Sequence, residues 1–363
     1  MTVPAPIRIA TAVIAFSALI FGIWMGLTRI GWSIGSPPAA GTHGPILVLG
    51  FLGTVIGMER AVAIGRSWAW ATPILAAGAV IAMLTGAPYE LAGALLLVAG
   101  VVLVALFSAA YRIQPEAHII LMGIGAVAWV FATVTWLAGK PAPSLVPWLA
   151  AFLILTIAGE RLELARLIAT TRSARRQLAG AVAVVIAGSM IAWAYANTGA
   201  RIAGLGNLLI AIWLLRYDIA RRTIRLGGVT RYMATGLLVG YVWLAVSGVL
   251  WITTGLEFAS TGYDAALHTL FLGFIMSMIM AHAPIVIPAL AGLAFPFGRE
   301  MWIPLIFLQI SVLVRVAGDL ADAYELEKWG GMLNAVALSL LVLIVVATVI
   351  RGEHARREAR TAT

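Results

Sequence analysis

Five histidines carry most of the chemistry open to this chain of 363 residues: His43, His118, His268, His282 and His354. There is no cysteine, which removes disulfides, thiolate metal sites and c-type haem attachment. Any metal or haem must be held by His, Met, carboxylate or Tyr. His43 and His268 each begin a long apolar run. His282 follows His268 by 14 residues, about 21 Å along a helix axis, so the two cannot share one ion. With Glu59, Glu160 and His118, His282 could line a polar inner cavity that takes a divalent cation, a second haem or a proton in transit, since intramembrane ionisable groups usually face the bundle interior. The alternative is that Glu59-Arg60 and Glu160-Arg161 are ion-paired helix ends. Met276, Met278 and Met280 offer thioethers, but alternate positions on a helix point about 200° apart. These methionines are expected to face lipid or to pack, not to converge on an ion. His282-Ala283-Pro284, with Pro288, marks an expected helix end or kink, and His282 there could satisfy freed carbonyls. His354 lies in the basic stretch RGEHARREAR and is expected to be solvated or near anionic headgroups. No Walker motif, nucleophile elbow or HExxH is present.

The elements that must position these groups follow from composition. With 62% hydrophobic residues, 11% charged residues and a mean hydropathy of +1.01, the chain holds more apolar side chains than a soluble core can hide, and lipid must be its solvent. Apolar runs long enough to cross about 30 Å of hydrocarbon fall near 8–28, 44–64, 68–86, 90–110, 118–138, 145–166, 178–196, 202–216, 232–254, 265–289, 301–320 and 330–350. These predict an all-α, polytopic membrane protein of about twelve transmembrane helices. The first run has no small-residue cleavage site and is expected to be a retained helix.

Alternating the loops places 19 of the 24 basic residues on one side, leaving Arg29, Lys140, Arg201, Arg315 and Lys328 on the other. By the positive-inside rule both termini are expected in the cytoplasm, in a bacterial inner (plasma) membrane. The net charge of +9 is thereby explained by topology, and nucleic acid is not an expected partner. The lipid bilayer is.

Three segments align without gaps: Gly50 to Arg60, Ala151 to Arg161 and Gly273 to Ala283. In each, a small residue followed by Phe precedes an ionisable group, Glu59, Glu160 or His282. They lie on helices 2, 6 and 10, as one unit of four helices used three times would place them. The expected pseudo-repeats span about 1–110, 111–220 and 221–351 within a single transmembrane domain, with a basic tail over 352–363.

Twelve helices in three groups of four, with His43-Gly44-Pro45-Ile46-Leu47-Val48-Leu49-Gly50-Phe51 on helix 2 and His268-Thr269-Leu270-Phe271-Leu272-Gly273-Phe274-Ile275-Met276 on helix 10, resemble subunit I of the haem-copper oxidases and its smaller NnrS-type relatives. The resemblance implies a haem b between the outer ends of helices 2 and 10. His43 and His268 would be its axial ligands, with Arg315 on helix 11 meeting a propionate. Two neutral imidazoles are a sufficient axial pair. Polar caps at the membrane interface are the alternative for both histidines, and Asp319, four residues on, is the alternative partner for Arg315.

The chain departs from the oxidases in lacking their His-x-His pair on helix 10 and the three copper-binding histidines of helices 6 and 7. Oxygen reduction at a haem-copper centre is not expected. The implied physiology is respiratory or related to nitric oxide, through electron transfer, haem handling or gas response, with a redox partner protein or a quinol. Two other classes stay open: a secondary transporter or channel using Glu59, Glu160 and His282, and a cofactor-free assembly subunit.

Overall fold

A computed structural model describes residues 3–35, 40–165, 171–257, 262–291 and 293–361. Among them, twelve helices are long and apolar enough to span a membrane: α1 (Pro6–Arg29), α2 (His43–Ile64), α3 (Ser67–Leu84), α4 (Tyr89–Ile113), α5 (Ala117–Leu137), α6 (Ala142–Ala165), α7 (Arg172–Ala192), α8 (Ala196–Tyr217), α9 (Gly228–Thr254), α10 (Tyr263–Pro288), α11 (Arg299–Leu320) and α12 (Tyr324–Glu358). The protein is therefore an all-α, polytopic membrane protein. Its α12 is longer than the apolar run 330–350 predicts, because the helix continues through the charged residues on both sides, from Tyr324 to Thr361.

Buried and lipid-facing helices differ as their patterns require. Before the charged residues of its last turns, α6 is apolar on all sides and almost entirely buried, including Phe152, Ile154 and Leu155 at 0% exposure; a stretch without a polar face belongs in the centre. α1 and α12 stand at the periphery and leave Ile9, Ile20, Leu343 and Ile350 exposed. α7 and α8 approach closely through glycine. A Cβ on Gly188 would lie 2.3 Å from the Ala203 nitrogen, so only a residue without a side chain fits at this crossing.

Two features of α2 and α10 set them apart. Each contains a π-helical stretch just after its first histidine, Ile46–Leu52 in α2 and Thr269–Met276 in α10. Such wide turns recur at functional sites because they re-aim the side chains around them. The second halves of α2 and α10 pack on each other, while α1 packs on the π stretch of α2 and α11 on that of α10.

The helix does not end at Pro284 or Pro288: it runs on to Ala291 with both prolines inside it. Pro284 cannot donate to the Met280 carbonyl, and the Tyr232 hydroxyl of α9 donates to that oxygen instead, at 3.0 Å. His282 does not serve it; its Nδ1 bonds the Met278 carbonyl at 2.6 Å. Of the two expectations for Met276, Met278 and Met280, packing holds and lipid exposure does not, since all three are buried.

Candidate functional site

A cavity of about 680 Å³ opens at the end where α2 and α10 begin, bounded mainly by α1, α2, α10, α11 and α12. Its size suits a cofactor or small-molecule pocket. His43, His268 and Arg315 all line it, so the structure brings together three residues that lie far apart in the chain. Leu47, Phe51, Phe271 and Leu338 give it an apolar wall, and Met276 reaches it from one turn deeper.

The hydrogen bonds of the two imidazoles determine their tautomers. His43 Nδ1 lies 3.0 Å from the Gly22 carbonyl of α1. His268 Nδ1 lies 2.9 Å from the Asp264 carbonyl and 3.0 Å from Asp264 Oδ1. Every one of these partners is an acceptor, so Nδ1 carries a proton in both rings, and in the neutral ring it is Nε2 that has the lone pair. Neither Nε2 has a hydrogen-bond partner among the described residues. A ring held through Nδ1 by a carbonyl or carboxylate, with Nε2 free, is the arrangement that orients a metal-ligating histidine. The fit around His43 is close, since a Cβ on Gly26 would come 3.0 Å from His43 Cε1.

Arg315 pairs with Asp264 and not with Asp319. Its Nε and Nη2 donate to Asp264 at 2.6 and 2.8 Å, a bidentate ion pair. Asp319 instead accepts the backbone N–H of Ala265 at 2.7 Å, anchoring the first turn of α10. The reason is geometric: the first turn of α10 packs against α11, so a carboxylate across the helix interface offers a two-pronged partner that one on the same helix does not. Asp264 thus joins His268 to Arg315. Arg29 and Lys140 also line the cavity, and neither has a carboxylate partner among the described residues. Lys140 places its ammonium 5.1 Å from the centre of the Trp193 ring.

The other end of the bundle holds the remaining candidates. Arg60 Nη2 donates to Glu59 at 2.6 Å and to Glu160 at 2.9 Å, so the two aligned carboxylates share one guanidinium as ion-paired helix ends. His118 Nε2 lies 3.8 Å from Glu163 on the next helix. His282, half-buried near Glu59, keeps a buried Nε2 without a hydrogen-bond partner among the described residues. Among the described residues there is no group of three or more His, Cys, Asp or Glu positioned to hold a metal ion. His354 is exposed.

Reasoning from sequence missed Asp264, Arg29 and Lys140 as members of the first site. Asp264 had a readable signal: it precedes His268 by four residues, the spacing that brings two side chains to one helix face. Arg29 and Lys140 had none beyond being two of the few cations on their side.

A family model described as "Domain of unknown function (DUF8744)" matches residues 8–350. No curated protein and no solved structure matches the chain. The match takes in His43, His268 and Arg315, so the site described above lies within the matched residues, and the chain belongs to the DUF8744 family.

Proposed function

We propose that the protein binds haem b in its membrane domain, with Nε2 of His43 and of His268 as the nitrogens that would hold its iron. The single observation that carries this reading is the pair of rings, each tethered through Nδ1 and each presenting an unprotonated nitrogen, on the wall of one cavity. The donor set suits the group: neutral imidazoles for the iron, an apolar wall for the macrocycle, and cations for the propionates. Arg315 is committed to Asp264, so the propionates fall chiefly to Arg29 and Lys140, with Arg315 contributing charge from behind its carboxylate.

Bound haem b supplies a one-electron redox centre. The chain's own residues then do three things. The Gly22 carbonyl and Asp264 fix the ring planes. Asp264 also fixes the His268 tautomer, because its oxygens accept the Nδ1 hydrogen bond and leave Nε2 turned to the cavity. Arg315 holds the Asp264 carboxyl in place with two hydrogen bonds. Two side-chain ligands favour electron transfer or haem handling over gas reduction, in exchange with a redox protein or a quinol. The likeness to NnrS-type proteins and oxidase subunit I supports the same reading. The arginine bias further supports an orientation with both termini and the Arg60 end in the cytoplasm of a bacterial inner membrane, and the cavity toward the opposite face.

The test is the reduced-minus-oxidised optical spectrum of protein purified after expression with haem available. A Soret band with sharp reduced α and β bands is expected. Colourless protein that takes up no added haem would remove the proposal.

A further inference from the structure

At the end opposite the cavity, three buried polar side chains and the half-buried His282, from four parts of the chain, come together with one polar atom of each left without a hydrogen bond. Arg161 of α6 and Asp218, just past α8, approach to 3.9 Å between Nε and Oδ2, an ion pair too long for a hydrogen bond. The Tyr241 hydroxyl of α9 sits beside both, and His282 of α10 faces Arg161, Asp218 and Glu59. Tyr241 is 0%, Asp218 2% and Arg161 4% exposed. Arg161 Nε, Asp218 Oδ2, Tyr241 OH and His282 Nε2 all lack a hydrogen-bond partner among the described residues. A buried polar atom left unmatched is costly, and four in one place are far more than native folds leave unanswered.

Their chemistry identifies what answers them. Asp218 Oδ1 is engaged by the Ala220 N–H at 2.6 Å and His282 Nδ1 by the Met278 carbonyl at 2.6 Å. What remains is two acceptors, Oδ2 and Nε2, one donor, the Arg161 Nε–H, and one hydroxyl that serves as either. Water donates twice and accepts twice, so it offers what each of the four atoms needs. A divalent cation suits the set poorly, because Arg161 sets a fixed positive charge against it. An apolar ligand would leave every atom unmatched.

We propose that Arg161, Asp218, Tyr241 and His282 enclose a bound-water site that exchanges protons with the arginine-rich face through Glu59. The Glu59 side chain is 35% exposed while also lying near His282, which makes it the link to solvent. The bound water passes a proton to His282 Nε2 and is restored by one arriving from the Glu59 side. Asp218 and Glu59 balance the imidazolium so formed, opposite Arg161. This site is independent of whether haem binds.

The experiment uses the full-length protein in lipid nanodiscs. X-ray radiolysis in ¹⁸O-labelled water marks side chains that touch ordered internal water. Tyr232 is the internal control, because it is equally buried but its hydroxyl is already bonded to the Met280 carbonyl. Tyr241 is expected to take up label at least about tenfold faster than Tyr232. Labelling of Tyr241 at the Tyr232 rate overturns the water site. In parallel, the imidazole C2 hydrogen exchanges with D₂O only when the ring gains a proton and meets water. His282 is expected to exchange measurably over the period in which exposed His354 completes its exchange. No exchange at His282 by then overturns the proton exchange.

Discussion

Where α2 and α10 begin, Asp264 is answered by His268 and by both prongs of Arg315, and the two unmatched ring nitrogens face a cavity. At the opposite end Arg60 serves two carboxylates at once, while Arg161, Asp218, Tyr241 and His282 each keep an atom unmatched. Both ends bury charge, yet they are built for different occupants. A rigid, fully bonded shell around two imidazoles suits a large planar ligand whose iron needs fixed axial geometry. A cluster of unmatched donors and acceptors suits something small that can reorient.

Removing the central guanidinium at each end gives the largest expected effects. Arg60→Leu leaves Glu59 and Glu160 without their counter-charge, and Arg315→Leu does the same to Asp264. Each is expected to destabilise the fold by about 3–5 kcal/mol, seen as a lower unfolding midpoint in nanodiscs. Only Arg315→Leu should also lower haem content. Equal loss of haem in both variants would mean that the ends are not separate. Next, Asp264→Asn keeps a hydrogen-bonding group in place of the carboxylate and is expected to weaken haem binding by about 10–100-fold, read by titrating haem into the purified protein.

Tyr232→Phe removes the donor to the carbonyl that Pro284 frees and should cost about 1–3 kcal/mol without changing the spectrum. This tests whether α10 is stiffened between its two histidines. The smallest change is expected from Gly26→Ala. Its Cβ would press on His43 Cε1 at 3.0 Å, costing about 1 kcal/mol and shifting the absorption bands without abolishing them.

Much of the fold is legible because lipid imposes one strong rule, a long apolar run for each crossing, and all twelve runs correspond to spans. The ends of α12 were not legible, since a helix can continue through charged residues once it leaves hydrocarbon. The site was legible only in part. His43 and His268 stood out as rare polar residues at the starts of apolar runs, but the partner of Arg315 lies 51 residues earlier, across a helix interface. Sequence spacing favours Asp319 on the same helix, and packing decided otherwise. The π stretches have no sequence signal that periodicity could detect. Nor does the meeting of Arg161, Asp218, Tyr241 and His282, whose members come from four separate parts of the chain.

The most direct test of the central claim is electron paramagnetic resonance of the oxidised, haem-loaded protein beside its His43→Ala and His268→Ala variants. A low-spin signal in the native protein, converted to high spin by either single substitution, is the result expected if both imidazoles bind one iron. A low-spin signal that survives one of these substitutions unchanged would contradict it.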